Sequence, residues 1–264
     1  MTHIDQLNRT IKLKGTPKRI ISLVPSQTEL LVDLGLENSI VGVTKFCIHP
    51  ENLRKEKTVV GGTKQIKIER IKNLQPDIIL CNKEENTKEI IEQLSGVAPI
   101  HISDIYNLDD CFELINMYGG IFQVQEKALK VINSIKNEIQ KFRAHFQDRI
   151  KQKVAYFIWK NPWMVVGSDT FIDFMVTEAG FENVFKNKAR YPEITLDDTM
   201  LKEADVIFLS SEPFPFNENH VAGLLEKFPN KHIVIVDGEL FSWYGSRLLK
   251  SYEFFRVLRN KLSS

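Results

Sequence analysis

The stretch VQEKALKVINSIKNEIQKFRAHFQDRI, residues 124–150, decides how this chain is organised. Leu129, Ile132, Ile135, Ile139, Phe142, Phe146 and Ile150 recur at intervals of three or four, the spacing that puts apolar side chains on one face of an α-helix. No glycine or proline interrupts the run, so one long amphipathic helix of about seven turns is expected. It falls near the middle of the 264 residues, and the sequence on each side of it has a different rhythm.

Outward from that helix, short apolar runs alternate with helical patterns, the signature of an α/β fold. Residues 19–24 (RIISLV) read as a buried strand ended by Pro25. Ser26-Gln27-Thr28-Glu29 then has the form of a capping box, with Leu30, Leu31 and Leu34 on one helical face and Gly35 as a stop. Further strand-like runs lie at 39–43, 78–81 and 99–102. The pattern resumes after the long helix at 153–158, 164–166, 206–209 and 233–236, and a last helix is expected over 246–262. The expected architecture is two α/β lobes, 1–122 and 152–264, joined by a rigid connecting helix at 123–151, with a ligand cleft between the lobes.

An internal repeat supports two related lobes. Residues 69–80 (ERIKNLQPDIIL), shifted by 128 positions, meet residues 197–208 (DDTMLKEADVIF). Asp77 falls on Asp205, Ile79 on Ile207 and, further on, Glu84 on Glu212.

Composition narrows the function. Lysine and arginine number 35 against 34 acids, a net charge of +1, without the basic excess of a nucleic-acid or membrane-surface protein. No apolar run approaches the 18 or so residues that span a bilayer, so no membrane insertion is expected. Cys47, Cys81 and Cys111 are an odd set without C-x-x-C spacing, which excludes a disulfide framework. Residues 1–18 (MTHIDQLNRTIKLKGTPK) hold neither an apolar h-region nor a small-residue cleavage site. The expected location is cytoplasmic, or periplasmic or cell-surface if an export signal was removed. A monomer without intrinsic cofactor is expected.

Ligands of open α/β sheets sit beyond the carboxyl ends of the strands. The segments there carry an unusual set of rings: Trp159, Trp163, Tyr191, Phe214, Phe216, Phe241, Trp243 and Tyr244. Such rings hold flat or bulky ligands by stacking and apolar burial; the alternative is that several only pack the lobes. Arg190, Arg247 and Lys83, with Lys45 and Lys64, are the basic candidates for ligand carboxylates, phosphates or amides. Glu84, Glu85, Glu212 and Asp237 are the acidic ones. Together with Cys47, His49 and His220, these acids allow an alternative metal centre of a receptor or metal-dependent enzyme. Catalysis otherwise lacks a motif. The serines lie in no G-x-S-x-G elbow, and Gly61-Gly62-Thr63-Lys64 lacks the phosphate-loop frame.

Four blocks carry a resemblance to a known family: RIISLVPSQTELLVDLGLENSIVGVT (19–44), IERIKNLQPDIILCNK (68–83), VGSDTFIDFMVTEAGFENVF (166–185) and DDTMLKEADVIFLS (197–210). With the long helix they resemble the helical-backbone substrate-binding proteins of ABC importers for cobalamin and ferric siderophores, and in particular their signal-less subset. The resemblance implies two lobes with small hinge motion and a shallow cleft for a bulky metal chelate, a corrinoid before a ferric siderophore. It also implies docking to the transporter's permease subunits through one acid on each lobe, at Glu69 and Asp197; the latter replaces the family's usual glutamate.

Overall fold

A computed structural model describes residues 1–262, and the chain divides into two compact units. The first is Met1–Lys136 with Tyr244–Leu248; the second is Asn137–Trp243 with the chain from Leu249 on.

In the first unit a hairpin of β1 (Thr2–Ile4) and β2 (Thr10–Lys12) precedes β3 (Ile20–Ser22), α1 (Pro25–Asp33), β4 (Ile40–Val43), α2 (Leu53–Glu56) and β5 (Thr58–Val59). Then follow α3 (Ile68–Asn73), β6 (Ile78–Asn82), α4 (Lys88–Leu94), β7 (Ile100–Ser103) and α5 (Leu108–Phe122), and α6 (Gln125–Phe146) begins in this unit and ends in the second. The five-stranded sheet has the order β5-β4-β3-β6-β7, all parallel. Its central strands β3 and β6 are buried throughout, as expected of a parallel sheet covered on both faces. The strand order reverses between β3 and β6, so the segments leaving those two strands part at a topological switch point.

The second unit continues with β8 (Gln152–Trp159), β9 (Trp163–Val165), α7 (Phe171–Glu178), β10 (Phe181–Asn183), β11 (Glu193–Ile194), α8 (Thr199–Lys202) and β12 (Val206–Ser210). It closes with α9 (Glu218–Lys227), β13 (His232–Val236), α10 (Glu239–Ser242) and α11 (Leu248–Leu262). β12 lies parallel between β8 and β13. β8 is flanked at its start by β10, parallel, and at its end by β9, antiparallel. The switch point here falls between β8 and β12.

The repeat in the sequence has a hydrogen-bonded counterpart. Asp77, just before β6, donates its N–H to the Arg19 carbonyl (2.8 Å), and its carboxylate accepts the Lys18 and Arg19 N–H groups at 2.8 and 2.9 Å. Asp205, just before β12, donates to the Lys153 carbonyl (2.8 Å) and accepts the Lys153 N–H at 2.8 Å. Each aspartate ties the start of the unit's first central strand to the start of its neighbour.

Two expectations are corrected. The Ser26–Glu29 capping box does not form. Pro25 opens α1 two positions earlier, the N-cap is Val24 without a side-chain cap, and Ser26, Gln27, Thr28 and Glu29 are all buried. Proline suits the first helical position because its missing N–H is one of the helix's orphan donors. The long helix ends at Phe146, so Ile150 lies beyond it at 89% exposure, and Leu129 is 52% exposed. The buried stripe runs Ala128, Ile132, Ile135, Ile139, Phe142, Phe146. Ala128 holds the stripe's first place because α5 passes close: a Cβ at Gly119 would lie 2.9 Å from the Ala128 Cβ.

The inward polar face of α1 organises the first unit. Gln27 Nε2 donates to Ser103 Oγ (2.6 Å) and the Tyr244 hydroxyl (2.9 Å), while its Oε1 accepts from the Tyr118 hydroxyl at 2.6 Å. Asn82 Nδ2 reaches the same Ser103 Oγ at 3.0 Å. Glu29 takes a bidentate pair of bonds from Arg247 at 2.7 and 3.0 Å. These contacts stitch Tyr244–Leu248 into a unit otherwise built from the first half of the chain, since a buried polar group without a partner is costly.

Candidate functional site

The aromatic cluster lies at the switch point of the second unit. Trp159 ends β8 and Trp163 begins β9. The segment after β12 reads Glu212-Pro213-Phe214-Pro215-Phe216-Asn217. The Phe216 N–H donates to the Phe214 carbonyl at 2.9 Å across Pro215, closing a three-residue turn. That turn brings the Phe214 and Phe216 ring centres to 4.7 Å. Phe214 meets Trp159 edge-on at 5.6 Å, and Phe216 stacks parallel to Trp163 at 6.1 Å. His220 sits edge-on to both phenylalanines at 5.4 and 5.3 Å, and the Lys160 ammonium lies 5.4 Å from the Trp163 ring centre. Phe216 is buried in the unit's core with Phe157 and Val165. Phe214 and Trp163 are half-buried, and Trp159 is 39% exposed. The cluster is a graded platform, fixed at one side by the core and open at the other.

Glu212 borders it. Its carboxylate accepts the Ser242 hydroxyl at 2.8 Å and a bond from the Trp243 side chain. Burial, with Asp237 and Glu239 adding like charge, raises its pKa above the usual carboxylate range. Asp237 is exposed and accepts the Glu239 N–H at 3.0 Å. Arg190 is exposed, donates to the Asp169 carbonyl at 2.8 Å and lies over the Tyr191 ring at 5.4 Å. Four other candidates are occupied inside the protein. Phe241 is wholly buried among Tyr156, Phe208 and Phe255. Trp243 is buried against Glu212, Tyr244 belongs to the Gln27 network, and Arg247 is paired with Glu29. Rings and cations adjacent in sequence part company because the core takes the larger share of apolar area.

In the first unit, Asn82 Oδ1 accepts the Glu84 and Glu85 N–H groups and Asn86 Oδ1 accepts the Asn82 N–H, fixing the turn after β6. Lys83 bonds to Asp104 (2.6 Å) and the Tyr106 hydroxyl (3.3 Å), and Lys64 to the Glu84 carbonyl (2.6 Å). Lys45 lies 4.9 Å from the Phe46 ring centre. Phe46 and Tyr106, 47% and 36% exposed, are rings that the sequence reading passed over. Both follow strands of this sheet, β4 and β7, so the strand-end rule applied evenly would have found them.

The alternative metal centre does not assemble. Among the described residues no three His, Cys, Asp or Glu side chains gather in a way that would hold a metal ion. Cys47 is buried with its sulfur at 3.1 and 3.2 Å from the Thr28 and Thr44 hydroxyls, and burial pushes its thiol pKa up. His220 Nδ1 accepts the Asn217 N–H at 3.1 Å, capping α9, which leaves the proton of the neutral ring on Nε2. The proposed docking acids are exposed and ion-paired at 2.8 Å, Glu69 with Lys72 and Asp197 with Lys227. No described helix is long and apolar enough to cross a membrane.

The family model for periplasmic binding proteins matches residues 20–228, and the chain belongs to that family. Among curated relatives, an ABC transporter substrate-binding lipoprotein of Bacillus subtilis is 25% identical over 259 residues, 94% of this chain and 82% of its own. A vitamin B12-binding protein of Vibrio campbellii is 25% identical over 256 residues, 94% and 92% of the two chains. Among solved structures, the vitamin B12-binding protein BtuF of Vibrio cholerae superposes with a TM-score of 0.77 at 20% identity, covering 92% of this chain and 96% of that one. The haem-binding protein BhuT, with two haems bound, reaches 0.80 at 19% identity, covering 93% and 99%.

Proposed function

We propose that this chain is the substrate-binding protein of an ABC importer and carries a bulky metal chelate, a corrinoid before a ferric siderophore, held without covalent chemistry. The observation that carries the reading is the exposed edge of a core-fixed aromatic platform: Trp159 open, Phe214 beside it, Phe216 buried beneath. Such a surface offers apolar area without rotamer entropy to lose, as a large, flat ligand requires. The vitamin B12-binding relatives support the corrinoid; the haem-binding neighbours make haem the second ligand to test. Trp163, Tyr191, Arg190, Lys83, Glu84, Glu212 and Asp237 are proposed to line or rim the binding surface, and Glu69 and Asp197 to meet the permease subunits.

A thermal-shift panel of cobalamin, cobinamide, haemin, ferric siderophores and bare divalent metals tests the proposal. A ligand at a hundred times its dissociation constant adds about 2.7 kcal/mol of stability. A shift with one chelate class and none with bare metals is expected; a shift with bare zinc, manganese or iron alone overturns it. Trp159→Ala should then weaken binding of the active chelate by about 2 kcal/mol, roughly thirtyfold, as loss of a central aromatic contact does.

A further inference from the structure

The segment bearing Phe214 is held at one place by a carboxyl group. Glu212 is turned inward, its carboxylate bonded to Ser242 and Trp243 at the end of α10. Its carbonyl accepts the Ser210 hydroxyl at 2.6 Å, and that hydroxyl is in turn bonded by the Tyr156 hydroxyl at 3.2 Å. Gly238 closes over the residue: a Cβ there would fall 2.6 Å from Glu212 Cγ and 2.4 Å from Ser210 Oγ. Glu212 therefore has little room to swing, and it joins the aromatic segment to the Ser242–Trp243 turn. The charged groups that bear on it are both acidic, Asp237 after β13 and Glu239 on α10; Tyr156 on β8 is the third titratable neighbour.

Resting on the chelate-binding reading, we propose that Glu212 is a proton-linked positioning residue, so that a chelate seated on Trp159 and Phe214 takes up a proton at this carboxyl as it binds. Glu212 stands two residues from Phe214 and is already half-buried. A ligand covering the platform removes more water from it, and desolvation disfavours the charged form. The carboxyl then holds its proton more firmly in the complex than in the free protein. By linkage, affinity is greatest below the free-protein value and falls as pH rises toward the value in the complex, tenfold for each unit separating the two.

The experiment is calorimetric titration with cyanocobalamin, or with haemin where only haemin binds, in two buffers of different ionisation enthalpy between pH 5 and 8. A tryptophan-fluorescence pH titration of the ligand-free protein accompanies it. Wild type should take up about half a proton at its peak and bind about tenfold more tightly at pH 5 than at pH 8. Glu212→Gln, which keeps the hydrogen-bonding shape, should bind with no proton uptake and a flat pH profile. Ser242→Ala, which removes a donor to the carboxylate, should move the ligand-free fluorescence midpoint to higher pH. Binding without buffer-dependent heat in wild type, or proton uptake that persists in Glu212→Gln, overturns the proposal alone. Failure of every chelate to bind overturns the functional reading and the proposal with it, and the ligand-free titration still shows whether the Trp243 signal follows Glu212.

Discussion

Three buried side chains set the first unit's tolerance of mutation and acid. Arg247 and Glu29 are each nearly inaccessible and meet through two short bonds. Removing one partner takes the ion pair from the buried charge that remains, at a cost of about 3–5 kcal/mol. Arg247→Met and Glu29→Gln should each lower the unfolding free energy from urea titration by that measure, and the double variant by less than their sum; single losses below about 1 kcal/mol would disprove the coupling. His101 is wholly buried, edge-on to Tyr118 at 5.3 Å, with neither ring nitrogen hydrogen-bonded. Burial is the main cause lowering its pKa from 6.5 to about 4. The neutral ring is favoured in the fold, so its contribution is intact above pH 6.5 and is lost as pH falls toward 4. Wild type should lose about 2–3 kcal/mol at this site between pH 7 and 4.5. His101→Leu should lose correspondingly less over the same range in urea unfolding.

The repeated element is a helix running into a strand whose first aspartate grips the neighbouring strand. The two copies are unequal in a way that can be measured. Asp77 accepts two backbone N–H groups, Asp205 one. Both lie near the surface, so about 1–2 kcal/mol is expected for Asp77→Ala and about half that for Asp205→Ala. Equal losses would mean that the helix, rather than the grip on the strand, sets the cost. The long helix shows how far periodicity reaches. Spacing alone found Ile132, Ile135, Ile139, Phe142 and Phe146, yet selected Leu129 over Ala128, because a pattern of large apolar residues cannot register that a close helix approach wants a small one.

At the scale of the whole molecule, the binding reading and the transport reading separate experimentally. Alanine at both Glu69 and Asp197 should abolish uptake of the chelate while leaving its affinity unchanged, since both acids are exposed and neither takes part in the aromatic platform. Unchanged uptake in the double variant would remove the docking role. A cavity of about 410 Å³ at the start of β12 is lined by Lys202, Asp205, Lys227, Phe228 and Lys231. Its Lys231 is held by the Lys202 and Ala204 carbonyls.

The sequence by itself determined the α/β class, the long helix, the paired units and the strand ends where the platform stands. Each of these follows from local apolar spacing or from a repeated motif, and both survive without knowledge of the partner surface. Only the tertiary structure decided which rings are open and which are core. Trp159 and Phe241 look alike in a linear reading, but one ends a strand at the surface and the other sits between two layers. Only the tertiary structure could pair Arg247 with Glu29, 218 residues away, or turn Ser26–Glu29 inward. Burial and long-range ion pairing are properties of surfaces brought together by folding, and no spacing along the chain encodes them.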